Sequence, residues 1–135
     1  MSPPITMARP THFQTMRTLV DHIVANRIGA LLILLLAAFL EAYGDSSFQA
    51  ALYRSSGTRK VMAFLTGAAC LAAYGLVVNT PRWDFGKLLG IYVVFFFLVA
   101  QGINWARFGQ SPTLPVVMGG SLIVAGGVII AAFAK

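Results

Sequence analysis

Four runs of about twenty apolar residues, joined by links too short to form anything of their own, set the limits on this 135-residue chain. The first runs from Ile28 to Tyr53, the second from Lys60 to Asn79, the third from Lys87 to Ala106 and the fourth from Leu114 to Ala134. The last three have the length needed to cross a hydrocarbon core about 30 Å thick as helices. The first, at about 39 Å if fully helical, is long enough to tilt or to carry its polar second half into a wetter layer. The links "RSSGTR", "TPRWDFG" and "RFGQSPT" are rich in Gly, Ser and Pro, as turns require. Such short links force neighbouring helices to run antiparallel. Lipid tolerates no unpaired backbone, so helix is the expected state of each run. The expected fold is an all-α membrane protein: an up-down bundle of four transmembrane helices, residues 28–135.

Composition supports the same solvent. Hydrophobic residues make up 58% of the chain and charged residues 10%. A soluble domain this small has too little interior to hide that much apolar surface. The formal net charge of +6 would raise nucleic acid as a partner for a soluble chain, but the basic residues here flank apolar runs and read as headgroup anchors. Arg9, Arg17, Arg27, Arg82, Lys87 and Lys135 fall on one side of the expected membrane, and Arg54, Arg59, Lys60 and Arg107 on the other. That bias mildly favours both ends inside. Cys70, the one cysteine, sits in an apolar run and reads as a small packed hydrophobe.

Ahead of the first span, residues 1–27 form an N-terminal extension. Within it Phe13, Met16, Val20, Ile23 and Val24 recur at helical spacing with Arg17, Asp21 and His22 between them. The pattern predicts an amphipathic helix over residues 11–27, lying along the membrane surface or against a partner. Arg27 and the thirteen apolar residues after it have the proportions of a signal peptide, but Glu41 stands where a small-residue cleavage site belongs.

The functional question is set by "FLEAYGDSSFQ", residues 39–49. Glu41 lies near the middle of the first span, and Asp45 is one turn on and on the same face. A carboxylate at mid-bilayer costs at least about 2.5 kcal/mol on insertion scales, so such residues face a bundle interior or water and are functional candidates. Two acids this close disfavour double ionisation, and they titrate as a coupled pair able to exchange a proton for a cation. The competing reading is a structural ion pair with a neighbouring helix or subunit. No basic residue lies in the inner part of any span, so such a partner would come from another chain.

Tyr92 and Tyr74 lie within their spans, and an aromatic face near a carboxylate suits an organic cation. Gln101 and Asn104, one turn apart and sharing a face, can hydrogen-bond a ligand or a neighbouring helix. On the fourth span Gly119 and Gly126, Gly120 and Gly127, and the pair Ser121 and Ala125 form a small-residue stripe. That stripe favours close helix contact, either in self-association or within one subunit. No nucleophile–histidine–acid set, metal-ligand cluster or phosphate loop appears, and His12 and His22 lie outside the spans. The sequence therefore gives no support for an enzyme, a metal or a cofactor.

Residues 105–130, "WARFGQSPTLPVVMGGSLIVAGGVII", carry a resemblance to a known family. Phe108, Gly109, Gln110, Pro115, Leu122, Ile123, Ala125 and Gly126 match the last loop and fourth helix of small multidrug resistance transporters, within the drug/metabolite transporter superfamily. The "RSSG" turn at residues 54–57 resembles that family's turn after its first helix, with the basic residue displaced by one. The resemblance covers roughly residues 28–134. It implies a membrane Glu in the first helix that binds protons and cationic substrate in turn, and antiparallel dimers formed through the fourth helix. "EAYG" at Glu41 matches the family's Glu-x-x-Gly, whereas counting back from Gly57 without a gap points to Asp45. Counting back from "FGQ" puts Tyr92 where the family has a Trp. The N-terminal extension and the bulky "VVFFFL" after Tyr92 depart from the family.

The resulting expectation is a small proton-coupled antiporter for cationic or amphipathic molecules, in a bacterial inner membrane. Glu41, Asp45, Tyr92, Gln101 and Tyr74 would form the proton and substrate site. Gly119, Gly120, Ser121, Ala125, Gly126 and Gly127 would form a dimer interface. The alternative is a non-transporting accessory subunit of a larger membrane complex.

Overall fold

The computed structural model describes Asp21 and residues 26–134, and the described residues are helix and short connecting links. The amphipathic helix expected over residues 11–27 lies almost entirely outside the described residues. Four helices follow one another: α1 (Arg27–Tyr53), α2 (Gly57–Val77), α3 (Phe85–Phe108) and α4 (Leu114–Phe133). All four are long and apolar enough to cross a membrane. The protein is thus a multi-pass, all-α, four-helix membrane bundle.

Local chemistry sets the helix ends, which match the sequence expectation at Tyr53 and Leu114 and differ by one to three residues elsewhere. Asn26 caps α1 by accepting a hydrogen bond from the Ile28 amide at 3.2 Å. Gly57, at φ 55°, turns the chain into α2 directly after extended Ser56, so the helix starts three residues before Lys60. The Asp84 carboxylate accepts from the amides of Gly86 and Lys87, which moves the start of α3 back to Phe85. Gly109 ends α3 in the left-handed region, φ 66°, with its amide returned to Asn104 and Trp105.

The helices stand side by side rather than in a closed ring. α1 packs against α2 and α3, and α4 packs against α3 alone. The residues that α1 buries are mostly small: Gly29, Ala30, Ala37, Ala38, Ala42, Gly44, Ser46, Ser47 and Ala51. In lipid the tails are as apolar as leucine, so helices associate where small residues let backbones approach. Gly44 and Gly67 mark the closest α1–α2 approach. A Cβ on Gly67 would stand 3.1 Å from the Gly44 carbonyl oxygen, and one on Gly44 would stand 3.1 Å from the Leu71 side chain. The buried core gathers toward one end of the bundle, from Leu34, Ala37 and Ala38 of α1, Val78, and Leu88, Ile91 and Tyr92 of α3.

The three phenylalanines after Tyr92 are divided among different contacts. Phe95 and Phe96 pack against the core, while Phe97 turns to α4 and occupies the space beside Gly120. Val94 lies in the same way against Gly127. These two glycines therefore serve the α3–α4 contact inside one subunit. Gly119 and Gly126 have open space where a side chain would stand.

Candidate functional site

Glu41 is the fifteenth of the 27 residues of α1, just past its midpoint. The Tyr92 hydroxyl, reaching across from α3, donates a hydrogen bond to Glu41 Oε2. Tyr92 is only 4% exposed, so the phenol needs a partner at that depth, and the carboxylate supplies one. Tyr74 of α2 stacks on Tyr92 with ring centroids 5.8 Å apart and planes at 28°. Phe96 stacks on the other side at 6.3 Å and 30°. Three helices thus converge on one carboxyl group, each contributing a different piece: acid from α1, phenol from α3, aromatic wall from α2.

Asp45, one turn further along α1, is exposed and faces a cleft of about 300 Å³ between α1 and α3. Ala42, Ser46 and Gln49 line the α1 side, and Phe96, Ala100, Ile103, Asn104 and Phe108 the α3 side. Phe96 belongs to both sites, since it stacks on Tyr92 and walls the Asp45 cleft. The two acids therefore occupy adjoining compartments separated by one ring. Asp45 makes no ion pair among the described residues.

Arg107 reaches this region from the last turn of α3. Its Nη1 donates to Ser46 Oγ at 2.6 Å and to Ser47 Oγ at 3.1 Å. Both serine hydroxyls donate in turn to the Tyr43 carbonyl at 2.8 Å. The guanidinium also lies over the Tyr43 ring, 4.7 Å from its centroid. Ser46 and Ser47 are buried, so the serines use their protons on α1 and their lone pairs on Arg107, with no polar atom left over. The sequence reading places Arg107 at a span end and gives it no part in the site. A helical side chain points toward the N-terminus of its helix, so a residue at the C-terminal end of α3 reaches back into the membrane. That direction is the signal that could have identified it.

The sequence candidates are divided by the structure into groups. Glu41, Tyr92 and Tyr74 come together, and Asp45 lies beside them. Gln101 does not join them. It lines a separate, largely apolar groove of about 530 Å³ between α3 and α4, with Phe97, Val117 and Ser121 among its walls. Gln101 and Asn104, read as sharing a face, line different clefts: three residues advance 300° around a helix, and the remaining offset of about 60° turns Gln101 toward α4 and Asn104 toward α1. Asn104 lines the Asp45 cleft and donates to the Gln110 carbonyl at 3.4 Å. Ser121 returns its hydroxyl to Val117 of its own helix at 2.9 Å.

Chemically, the arrangement holds one carboxyl oxygen of Glu41 by a phenolic donor and presents π faces next to it. A carboxyl so placed can be neutralised by a proton or by an organic cation resting on the rings. Comparison with family models, with curated proteins and with solved structures finds no match.

Proposed function

We propose that this chain is a small proton-coupled transporter of the small multidrug resistance type, exchanging protons for cationic or amphipathic molecules across a bacterial inner membrane. The observation that carries the reading is the mid-span Glu41 carboxyl held by Tyr92, with Tyr74 stacked beside it and the Asp45 cleft opening next to it. Placing two acids and a buried phenol within a membrane span is costly unless the site titrates or binds. In this mechanism an arriving cation displaces the proton from Glu41 and settles on the faces of Tyr74, Tyr92 and Phe96. Asp45, at the cleft, draws cations toward the site. Proton and cation then bind in turn to one group as the helices alternate access.

The resemblance in the last loop and α4 supports the same reading, and it extends to a homodimer, parallel or antiparallel. Gly120 and Gly127 are occupied by α3, so self-association rests on Gly119, Ser121, Ala125 and Gly126. The test is proton release from purified protein on addition of tetraphenylphosphonium. Native protein releases protons, Glu41→Gln abolishes the release, and Asp45→Asn weakens it. Release that is the same in both variants as in the native chain removes the site.

A further inference from the structure

A second cleft lies at the opposite end of the seam from Asp45, where α1 and α3 begin and α4 ends. It has a volume of about 340 Å³ and is lined by Arg27, Leu31, Trp83, Lys87, Ile91 and Ala131. Nothing in the transport reading uses it.

Its walls change character with depth. Arg27 opens α1, Trp83 sits in the link before α3, and Lys87 is in the first turn of α3. Leu31 and Ile91 are each four residues further along the same helices, about 6 Å deeper in the membrane. Ala131 of α4 closes the same apolar floor. The mouth thus carries two positive charges and an indole at the level where a lipid headgroup lies, and the floor is hydrocarbon.

The charges are available to a ligand. Among the described residues neither Arg27 nor Lys87 is paired with a carboxylate. The nearest acids on these elements are otherwise engaged: Asp84 accepts from the amides of α3, and Asp21 pairs with Arg82 at 3.2 Å. Lys87 Nζ donates to the Ala134 carbonyl at 2.6 Å, which fixes the ammonium at the rim and leaves two of its three N–H groups free. The amino ends of α1 and α3 lie together here, and their dipoles add to the positive potential.

We infer that this cleft is a binding site for an anionic phospholipid, with the headgroup phosphate between Arg27 and Lys87, Trp83 beside it, and an acyl chain over Leu31, Ile91 and Ala131. A free phosphate ion shares the headgroup chemistry but has no use for the apolar floor. The site is independent of Glu41.

Trp83 reports on the site directly, because the chain has two tryptophans and Trp105→Phe removes the other. This Trp105→Phe protein is reconstituted in phosphatidylcholine bilayers containing a small share of lipid brominated near the head of its acyl chain. Brominated phosphatidylglycerol is expected to quench Trp83 at a mole fraction about 25-fold lower than brominated phosphatidylcholine, since each of the two basic residues contributes about a fivefold preference. Arg27→Gln combined with Lys87→Gln brings the two lipids to near parity. Arg54→Gln combined with Arg59→Gln, at the other end, leaves the preference in place. Equal quenching by both lipids in the protein with native charges overturns the inference, and that measurement needs no charge substitution to fold. Survival of the preference in the Arg27/Lys87 double variant also overturns it. Loss of the preference on adding excess inorganic phosphate replaces the lipid with a free anion.

Discussion

α1 and α4 show how a membrane bundle divides its labour. α4 is the most apolar helix, with mean hydropathy 2.3 over its best 18-residue stretch, yet only 11% of that stretch is buried. α1 reaches only 1.8, and 39% of its stretch is buried. In water the order would be reversed. In lipid the apolar side chains are content at the surface, and the interior goes to the helix with small and polar residues. Leu122, Met118 and Val128 of α4 accordingly face outward at 76, 63 and 61% exposure. α1 turns its alanines, Gly44, Ser46 and Ser47 inward and places Glu41 among them. The difference teaches that small side chains, not high hydropathy, mark the inside of α1.

Substitutions can break or sharpen that contrast. The largest loss of stability is expected for Gly67→Leu, because the side chain would meet the Phe48 ring and also the Gly44 carbonyl, which can give way only by moving backbone. Overpacking of that kind costs about 3 kcal/mol, read as a lowered midpoint of unfolding in mixed micelles. Next, Tyr92→Phe leaves Glu41 without its donor. A lost hydrogen bond to a charged group is worth about 2 kcal/mol, and the same change is expected to alter cation-driven proton release, which a packing defect elsewhere would not. Gly127→Val crowds Val94 and should cost about 1 kcal/mol through a shift of α4 alone. Arg107→Gln removes the bridge to Ser46 and Ser47, a further loss of about 1 kcal/mol visible by the same unfolding assay. The smallest effect belongs to Leu122→Ala on the lipid face of α4, within about 0.5 kcal/mol. A large loss there would mean that α4 is covered by protein rather than by lipid.

The fold could be read from the sequence almost residue by residue. Length, hydropathy and turn chemistry fix four helices, and local caps such as Asn26, Gly57 and Asp84 move their ends by no more than three residues. The heart of the candidate site was legible for a similar reason: Glu41, Tyr92 and Tyr74 are polar groups deep in apolar runs, and such groups have to find one another. What stayed hidden depends on rotation about the helix axes. Nothing in the chain says that Gln101 turns to α4 while Asn104 turns to α1, since the immediate sequence neighbours of both are uncharged and mostly apolar. The small residues of α4 were equally ambiguous. Whether Gly120 or Gly119 meets α3 is a matter of one 100° step, decided by where Phe97 and Val94 fit.

The side-by-side order of the helices has a mechanical outcome. The chain folds as two hairpins, α1 with α2 and α3 with α4, joined along the α1–α3 boundary and by the Tyr74–Tyr92 stack beside it. Any hinge between these halves must open along that boundary, and the Tyr92–Glu41 bond spans it. Opening there has to break a bond between two buried or half-buried polar groups, so the same contact that fills the seam also latches it.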